Sequence, residues 1–357
     1  MNKSTLPELI SPYFFLNEKF YDEVKPANFP NTIIRYRNKN FKEFSDIGDQ
    51  EWINFFALFD HKDLPLKKNL AMKYHGHQFR VYNPNIGDGR GFTIAQFYKN
   101  KKLYDLGTKG SGLTPYSRGG DGRLTLKGGV REVLCSNYLD AQGVSTSQSL
   151  SLIETGESLI RSDEPSPTRS SILVRVSHSH IRIGTFQYHA YHQDHDSLEL
   201  LIKSVGKHYL FLDEKNNSPL NFFKSVVKKC AKLAASYHIC GFVHGVLNTD
   251  NININGESFD YGPYRFLEKY DPHKIAAYFD HSGLYKFSNQ TDAIFWNLQQ
   301  LASIMTIFLE DDPIVNELKK YVNYYNEEVI KLFYEKLSLQ PSDDYESNQL
   351  FLNNFYQ

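Results

Sequence analysis

The chain has 357 residues, 41% of them hydrophobic, which is enough for about two domains or lobes built on a real core. Its 40 Lys and Arg nearly cancel 41 Asp and Glu, so no global field draws it to nucleic acid or to an anionic membrane. Cys135, Cys230 and Cys240 are widely spaced and form no Cys-x-x-Cys pair for zinc or redox work, so a reduced, cytoplasmic setting is expected.

The opening MNKSTLPELISPYFFLNEKF carries glutamates and a proline and fits neither a signal nor a transit peptide. No run approaches the roughly 18 consecutive apolar residues of a membrane span. Residues 1–73 mix short aromatic runs, Tyr13 to Phe15 and Trp52 to Phe59, with charged stretches. They carry no chemical motif and read as an N-terminal extension packed on the lobe that begins at Tyr74.

From Tyr74 glycines cluster, at His75-Gly76-His77, Gly87-Asp88-Gly89-Arg90-Gly91, Lys109-Gly110-Ser111-Gly112 and Gly119-Gly120-Asp121-Gly122-Arg123. Between the second and third clusters, Phe92 to Tyr98 and Leu103 to Gly107 predict a β-hairpin with glycine loops at its open end. Leu126, Val130, Val133, Leu134 and Tyr138 recur at helical spacing and Gly143 is a stop, which predicts a helix over 125–141 that carries Glu132. Further β-prone runs at Ser149 to Glu154, Ser171 to Val176 and Ile181 to Tyr188 complete a mainly antiparallel sheet.

After a polar connection the pattern turns helical, first Leu198 to Leu212. A helix from Pro219 to Cys240 comes next, with Pro at its start, Gly241 past its end, and Phe223, Val226, Val227, Cys230, Ala234 and Tyr237 as one apolar stripe. Ala293 to Leu309 and Pro313 to Leu337 are again helical, and the Asn-rich end from Ser342 is expected to fray. The predicted class is therefore α+β, with a β-rich lobe over 74–191 and a helical lobe over 192–357.

The chemistry concentrates in His244-Gly-Val-Leu-Asn-Thr-Asp-Asn251 and Phe259-Asp260-Tyr261-Gly262. Asn255-Gly256 between them is a hairpin signal, which places Asn251 and Asp260 on the two flanks. An Asn oxygen beside a carboxylate suits a hard cation such as magnesium. The outline is a kinase-like catalytic loop followed by a metal-binding Asp-aromatic-Gly, but the position of the kinase base is Val246, which accepts no proton. Asp250 supplies a displaced carboxylate, so the chain is either catalytically dead or performs a different transfer on ATP.

Glycine loops more often serve turns than ligands. Here Arg90, Lys109 and Asp121-Gly122-Arg123 accompany them, and backbone N–H groups backed by a Lys are a way to hold phosphate. Lys109 and Glu132 are candidates for a strand-to-helix ion pair, although a lone Lys or Glu is usually solvated. Arg175 and Arg182 offer planar forks for phosphate, against the alternative of surface strand charges. The pairs His75/His77 and His178/His180 lack further ligands at zinc spacing and are expected to be hydrogen-bonding or packing histidines.

The ordered motifs Tyr-His-Gly-His-Gln-Phe (74–79), Gly-Asp-Gly-Arg (87–90), Lys-Gly-Ser-Gly-x-Thr-Pro-Tyr-Ser-Arg-x-Gly-Asp-Gly-Arg (109–123), Arg-Glu-x-Leu-Cys-Ser (131–136), His-Gly-Val-x-Asn-Thr-Asp-Asn (244–251) and Asp-Tyr-Gly-Pro (260–263) resemble the selenoprotein O family. The resemblance implies a protein-kinase-like two-lobed fold that binds ATP in a flipped orientation and transfers AMP to Ser, Thr or Tyr hydroxyls of proteins. It implies Asp250 as proton acceptor, Asn251 and Asp260 as ligands of Mg2+ or Mn2+, and Glu132 as partner of Lys109. Gly87, Gly89, Arg90, Lys109, Asp121, Gly122, Arg175, Arg182 and Asp260 would line the nucleotide site. Two departures stand out, Arg80 where a small residue is usual and Ala276 where many members carry Cys, and the family's C-terminal extension with its Cys or selenocysteine is not expected here. Disulfide control is accordingly not expected. The alternatives kept beside protein adenylyl transfer are a phosphotransferase acting through Asp250 and a non-catalytic ATP-binding pseudokinase scaffold.

Overall fold

The computed structural model describes residues 6–61 and 68–355. Before residue 74 the chain forms β1 (Leu9–Ile10), β2 (Tyr21–Val24), β3 (Ile33–Arg37), α1 (Asp49–Phe56) and β4 (Asn69–Met72). The glycine-rich region gives β5 (Gly76–Gln78), β6 (Val81–Asn83), β7 (Thr93–Lys99), β8 (Lys102–Lys109) and β9 (Leu124–Thr125). It continues into α2 (Leu126–Ala141), β10 (Gln148–Leu159) and β11 (Thr168–Ser177). Next come α3 (Ile183–Tyr191), α4 (His195–His208), α5 (Pro219–Ile239) and the short strands β12 (Phe242–Val243) and β13 (Arg265–Phe266). The last elements are α6 (Gln290–Met305), α7 (Asp311–Lys319), α8 (Tyr321–Lys336) and α9 (Tyr345–Phe355). The class is α+β, with a large antiparallel sheet in the order β2-β4-β7-β8-β11-β10-β3. No helix among the described residues is long and apolar enough to cross a membrane.

The expected hairpin is β7–β8, joined by Asn100 and Lys101 at φ 50 and 64. Two consecutive left-handed residues make the type I′ turn, whose twist matches that of the strands. Across β8 and β11, Lys109 opposes Leu173 and Gly107 opposes Arg175. Side chains alternate faces along a strand, so Lys109, Gly107 and Arg175 share one face. Leu106, Ile172, Val174 and Val176 point the other way, into a core with Trp52, Phe55 and Phe56 of α1. The stretch before residue 74 thus adds strands to the sheet and covers its back. Trp52 is 1% exposed, donates from Nε1 to Ser151 Oγ at 2.8 Å and lies 4.0 Å beneath the Arg37 guanidinium. Trp52→Ala is expected to cost about 3–5 kcal/mol, read as a lower urea midpoint; a loss below ~1 kcal/mol would mean that α1 is not integral to this core.

Helix α2 lies on the front face, capped by Thr125 Oγ1, which accepts from Gly128 N at 3.1 Å. Its orientation corrects the expected apolar stripe: Val130, Leu134 and Tyr138 are exposed, and Gly129, Glu132, Cys135, Ser136 and Leu139 are buried with Val133. A Cβ at residue 129 would stand 2.4 Å from Leu152 Cδ1, so Gly129 permits the close seat on β10. That seat turns Glu132 inward toward Lys109.

In the helical part α5 is the hub, with Pro219 at its start, Ser218 as N-cap and Gly241 left-handed just past its end. The whole apolar stripe expected for it is buried. Three expectations need correction. Ile181 to Tyr188 is not a strand; from Ile183 it is α3, because Thr185 bonds back to the Arg182 backbone and Ile183 and Phe186 bury a helical face. Pro313 to Leu337 divides at Lys320, whose N–H turns to Glu317 O, so that α7 and α8 each pack on α5. From Ser342 the described residues form a packed helix instead of fraying: Asp344 caps α9 and Leu352 buries against Phe333 and Tyr334.

Candidate active site

Between β12 and β13 the chain runs from His244 through a single turn at Thr249–Asn251 to Asp260. Asn255-Gly256 makes a tight turn, with Gly256 N on Asn253 O at 3.0 Å, but its flanks do not pair as a hairpin. Asn253 bridges to Arg182 and Ser258 to Thr146. The two flanks are held apart by other elements, and His244 ties them. Burial lowers the pKa of its ring, so neutral Nε2–H donates to Phe259 O at 2.8 Å while Nδ1 accepts from Val246 N at 3.4 Å. Asp260 follows Phe259 directly and is left-handed at φ 62.

Asp250 is 8% exposed, and its Oδ1 is buried without a hydrogen-bond partner. Gln78 Nε2 approaches Oδ2 at 3.4 Å, and Arg182 Nη1 donates to the Asp250 backbone carbonyl at 3.1 Å. Burial pushes the carboxyl up to about 6, against the pull of Arg182. It is therefore ionised at neutral pH yet basic for a carboxylate, which is how a proton acceptor is tuned.

Asp260 behaves in the opposite way. Burial works to raise its pKa, but Lys109, Arg175 and Arg182 hold it well below the carboxylate range. Oδ1 accepts from Lys109 Nζ at 3.0 Å and from Arg175 Nη1 at 2.7 Å, and Oδ2 lies 3.7 Å from Arg182 Nη1. Lys109 also pairs with buried Glu132. Three cations thus gather around Asp260, with Glu132 and Asp88 as further partners of Lys109 and Arg182. Asn251 donates through Nδ2 to Val246 O at 3.1 Å, which leaves its Oδ1 as the acceptor.

Every site residue named from the sequence except Glu132 lines one cleft of ≈ 820 Å³, within the range that takes a whole small ligand. Val246 lines it too; Glu132 stands behind Lys109. The glycines let neighbouring segments close tightly on the cleft. A Cβ on Gly87 would meet the Tyr116 ring at 2.4 Å, and one on Gly89 the Tyr116 carbonyl at 2.9 Å. Thr114 Oγ1 and Ser117 Oγ bond the carbonyls of Asp88 and Gly89 at 2.5 and 2.6 Å, which staples the loop after β8 onto the glycine turn. Gly122 is left-handed at φ 69 against Gly112 O. Arg90 is exposed at the mouth, and Asp121 there is already engaged with Arg161 at 2.8 Å.

Sequence reasoning missed Asp88 and Gln78 as site residues. Asp88 Oδ1 lies 3.3 Å from Arg182 Nη2, and burial raises its pKa against that pull. Gln78 sits on the β5–β6 hairpin, whose turn residues Phe79 and Arg80 are both left-handed, so Arg80 occupies a position suited to glycine. Gln78→Leu removes a donor that favours charged Asp250. The acid limb of the activity–pH profile is expected to move upward; an unmoved limb would deny Gln78 this influence.

The histidine pairs hydrogen-bond as expected, His75 Nδ1 with Tyr82 OH at 2.8 Å and His178 Nδ1 with Glu257 at 2.5 Å. Among the described residues no group of three or more His, Cys, Asp or Glu side chains could hold a metal. Asn251 and Asp260, the pair the sequence offered for a cation, both line the cleft.

A tuned carboxylate and a cluster of buried cations in one cleft suit an enzyme site for an anionic substrate. The family model for the protein adenylyltransferase SelO matches residues 10–356. A protein nucleotidyltransferase YdiU from Synechocystis sp. is 46% identical over 334 residues, 91% of this chain and 69% of that protein. Its namesakes from Trichodesmium erythraeum and Vibrio cholerae are 45% and 36% identical, over 94% and 91% of this chain and 73% and 66% of their own lengths. The chain belongs to the SelO family of protein nucleotidyltransferases.

Proposed function

We propose that this chain transfers AMP from ATP to Ser, Thr or Tyr hydroxyls of proteins, on a kinase-like two-lobed scaffold whose lobes span 74–191 and 192–357, with 1–73 packed on the first, in the cytoplasm. The observation that carries the reading is Asp250, a buried carboxylate with an unpartnered oxygen, lining the same cleft as Lys109, Arg175 and Arg182. Val246, in the place of a kinase base, argues against the phosphotransferase alternative. Retention of Asp250, Asn251 and Asp260 together argues against a pure scaffold.

In this mechanism ATP enters flipped, with its phosphates against Lys109, Arg175 and Arg182. The acceptor oxygen attacks the α-phosphorus, its proton passes to Asp250, and the bond to the β-phosphate oxygen breaks to release pyrophosphate. Fixed guanidinium and ammonium groups offset charge as it grows on the phosphate oxygens, usually the largest single contribution in such a transfer. Asn251 Oδ1 and Asp260 would hold Mg2+ or Mn2+, which supplies Lewis-acid stabilisation of the phosphates when bound. Gly87, Gly89 and Gly122 shape the wall, and Arg90 and Asp121 stand at its mouth.

Pyrophosphate is expected to appear in step with modified protein; ADP in its place would favour the phosphotransferase. Because Asp250 must be ionised to accept the proton, and burial has raised it, kcat/KM is expected to climb as pH rises through about 6. A flat profile between pH 5 and 7 would deny Asp250 that task.

A further inference from the structure

A second cleft of ≈ 450 Å³ opens beside the first and shares Arg90, Lys109, Arg123, Arg161, Gly262 and Pro263 with it. One wall is α2, with Lys127 and Arg131; the other is the segment after Asp260, with Arg265, Tyr278 and Phe279. Most cations around it are spoken for: Lys127 lies 3.5 Å from Glu164, and Arg123 and Arg161 lie 2.8 Å from Glu157 and Asp121. Arg131 and Arg265 differ. Arg131 Nη2 touches only the carbonyls of Gly262 and Tyr264, at 3.2 and 3.4 Å, with its guanidinium 4.4 Å over the Tyr264 ring. Arg265 Nη1 donates to Tyr264 O at 2.9 Å. Neither has a carboxylate partner among the described residues. Beside them Tyr278 is 79% exposed and Phe279 43%.

Guanidinium forks match carboxylates in pairs, and Arg with aromatic side chains is the combination that dominates protein recognition sites. The first cleft already has the volume for a nucleotide, so the second is free for the other substrate. Resting on the transfer proposed above, we infer that this second cleft docks the acceptor protein through acidic residues flanking the modified hydroxyl. Arg131 and Arg265 bind the carboxylates there, and Tyr278 and Phe279 pack on the apolar part of the segment.

The test uses the full chain and three fluorescent peptides that differ only in whether Glu, Gln or Lys flanks a single Tyr, with binding read by anisotropy and AMP incorporation read separately. The Glu peptide is expected to bind about tenfold more tightly than the Gln peptide, as two charge pairs allow, with the Lys peptide weakest and the preference shrinking in salt. Arg131→Gln and Arg265→Glu should each reduce the preference while the Kd for ATP stays unchanged. Arg265 is exposed, so its variant tests the inference even if Arg131→Gln misfolds. Equal affinity for the three peptides overturns the inference, and so does an ATP Kd that rises in these variants, which would assign the cleft to nucleotide. Charge-selective binding without AMP incorporation supports the docking surface and counts against the transfer chemistry; incorporation without charge preference does the reverse.

Discussion

Asp250→Asn is expected to lower AMP transfer by about 10²–10⁴-fold, the usual contribution of a positioned general base. The substitution keeps size and shape and removes only the capacity to accept a proton at neutral pH. The Asp250 backbone carbonyl still receives Arg182 Nη1, so the wall of the cleft stays in place. ATP binding should therefore survive, and calorimetric titration beside steady-state rates separates the two effects. If the variant keeps near wild-type kcat, the proton goes elsewhere and Asp250 has another task.

Asp260→Ala is expected to do more, for a different physical reason. Its carboxylate is the shared partner of Lys109 and Arg175 and lies within reach of Arg182, all three of them buried. Removing one member of a buried ion pair leaves uncompensated charge, typically at about 3–5 kcal/mol. The free protein should melt earlier, and under the proposed mechanism transfer should fall to background because the site would lose a cation ligand. Asp260→Asn, which keeps the acceptor oxygen, should recover part of the stability but not the rate. Unchanged melting in Asp260→Ala would show that the three cations do not depend on this carboxylate.

Much of this site could be read from local sequence. The β-prone runs at Phe92 to Tyr98 and Leu103 to Gly107 marked a hairpin, and Lys109 at its end falls on the face that Arg175 shares. The spacing of Asp250, Asn251 and Asp260 singled out the carboxylates. The losses have physical causes. Ile181 and Ile183 alternate like a strand, but the contact of Thr185 with the Arg182 backbone and the burial of Ile183 and Phe186 on one helical face turn the segment into α3. On α2 the apolar residues pointed to the wrong face, because tight packing on a sheet selects Gly129 and Ser136 and the ion pair selects Glu132. Gln78 and Asp250 are 172 residues apart in sequence, and nothing in either stretch announces that they meet. The Asn255-Gly256 signal did mark a turn; what it could not say is that Arg182 and Thr146 take the flanks.

If AMP, not phosphate, leaves ATP for a protein hydroxyl, the position of a radioactive label decides the matter. The chain is incubated with acceptor protein and ATP labelled on either the α- or the γ-phosphate, with Asp260→Ala as control. Label is expected in protein from the α-position alone and absent in the control; label from the γ-position alone would contradict AMP transfer, and none from either would leave a nucleotide-binding scaffold.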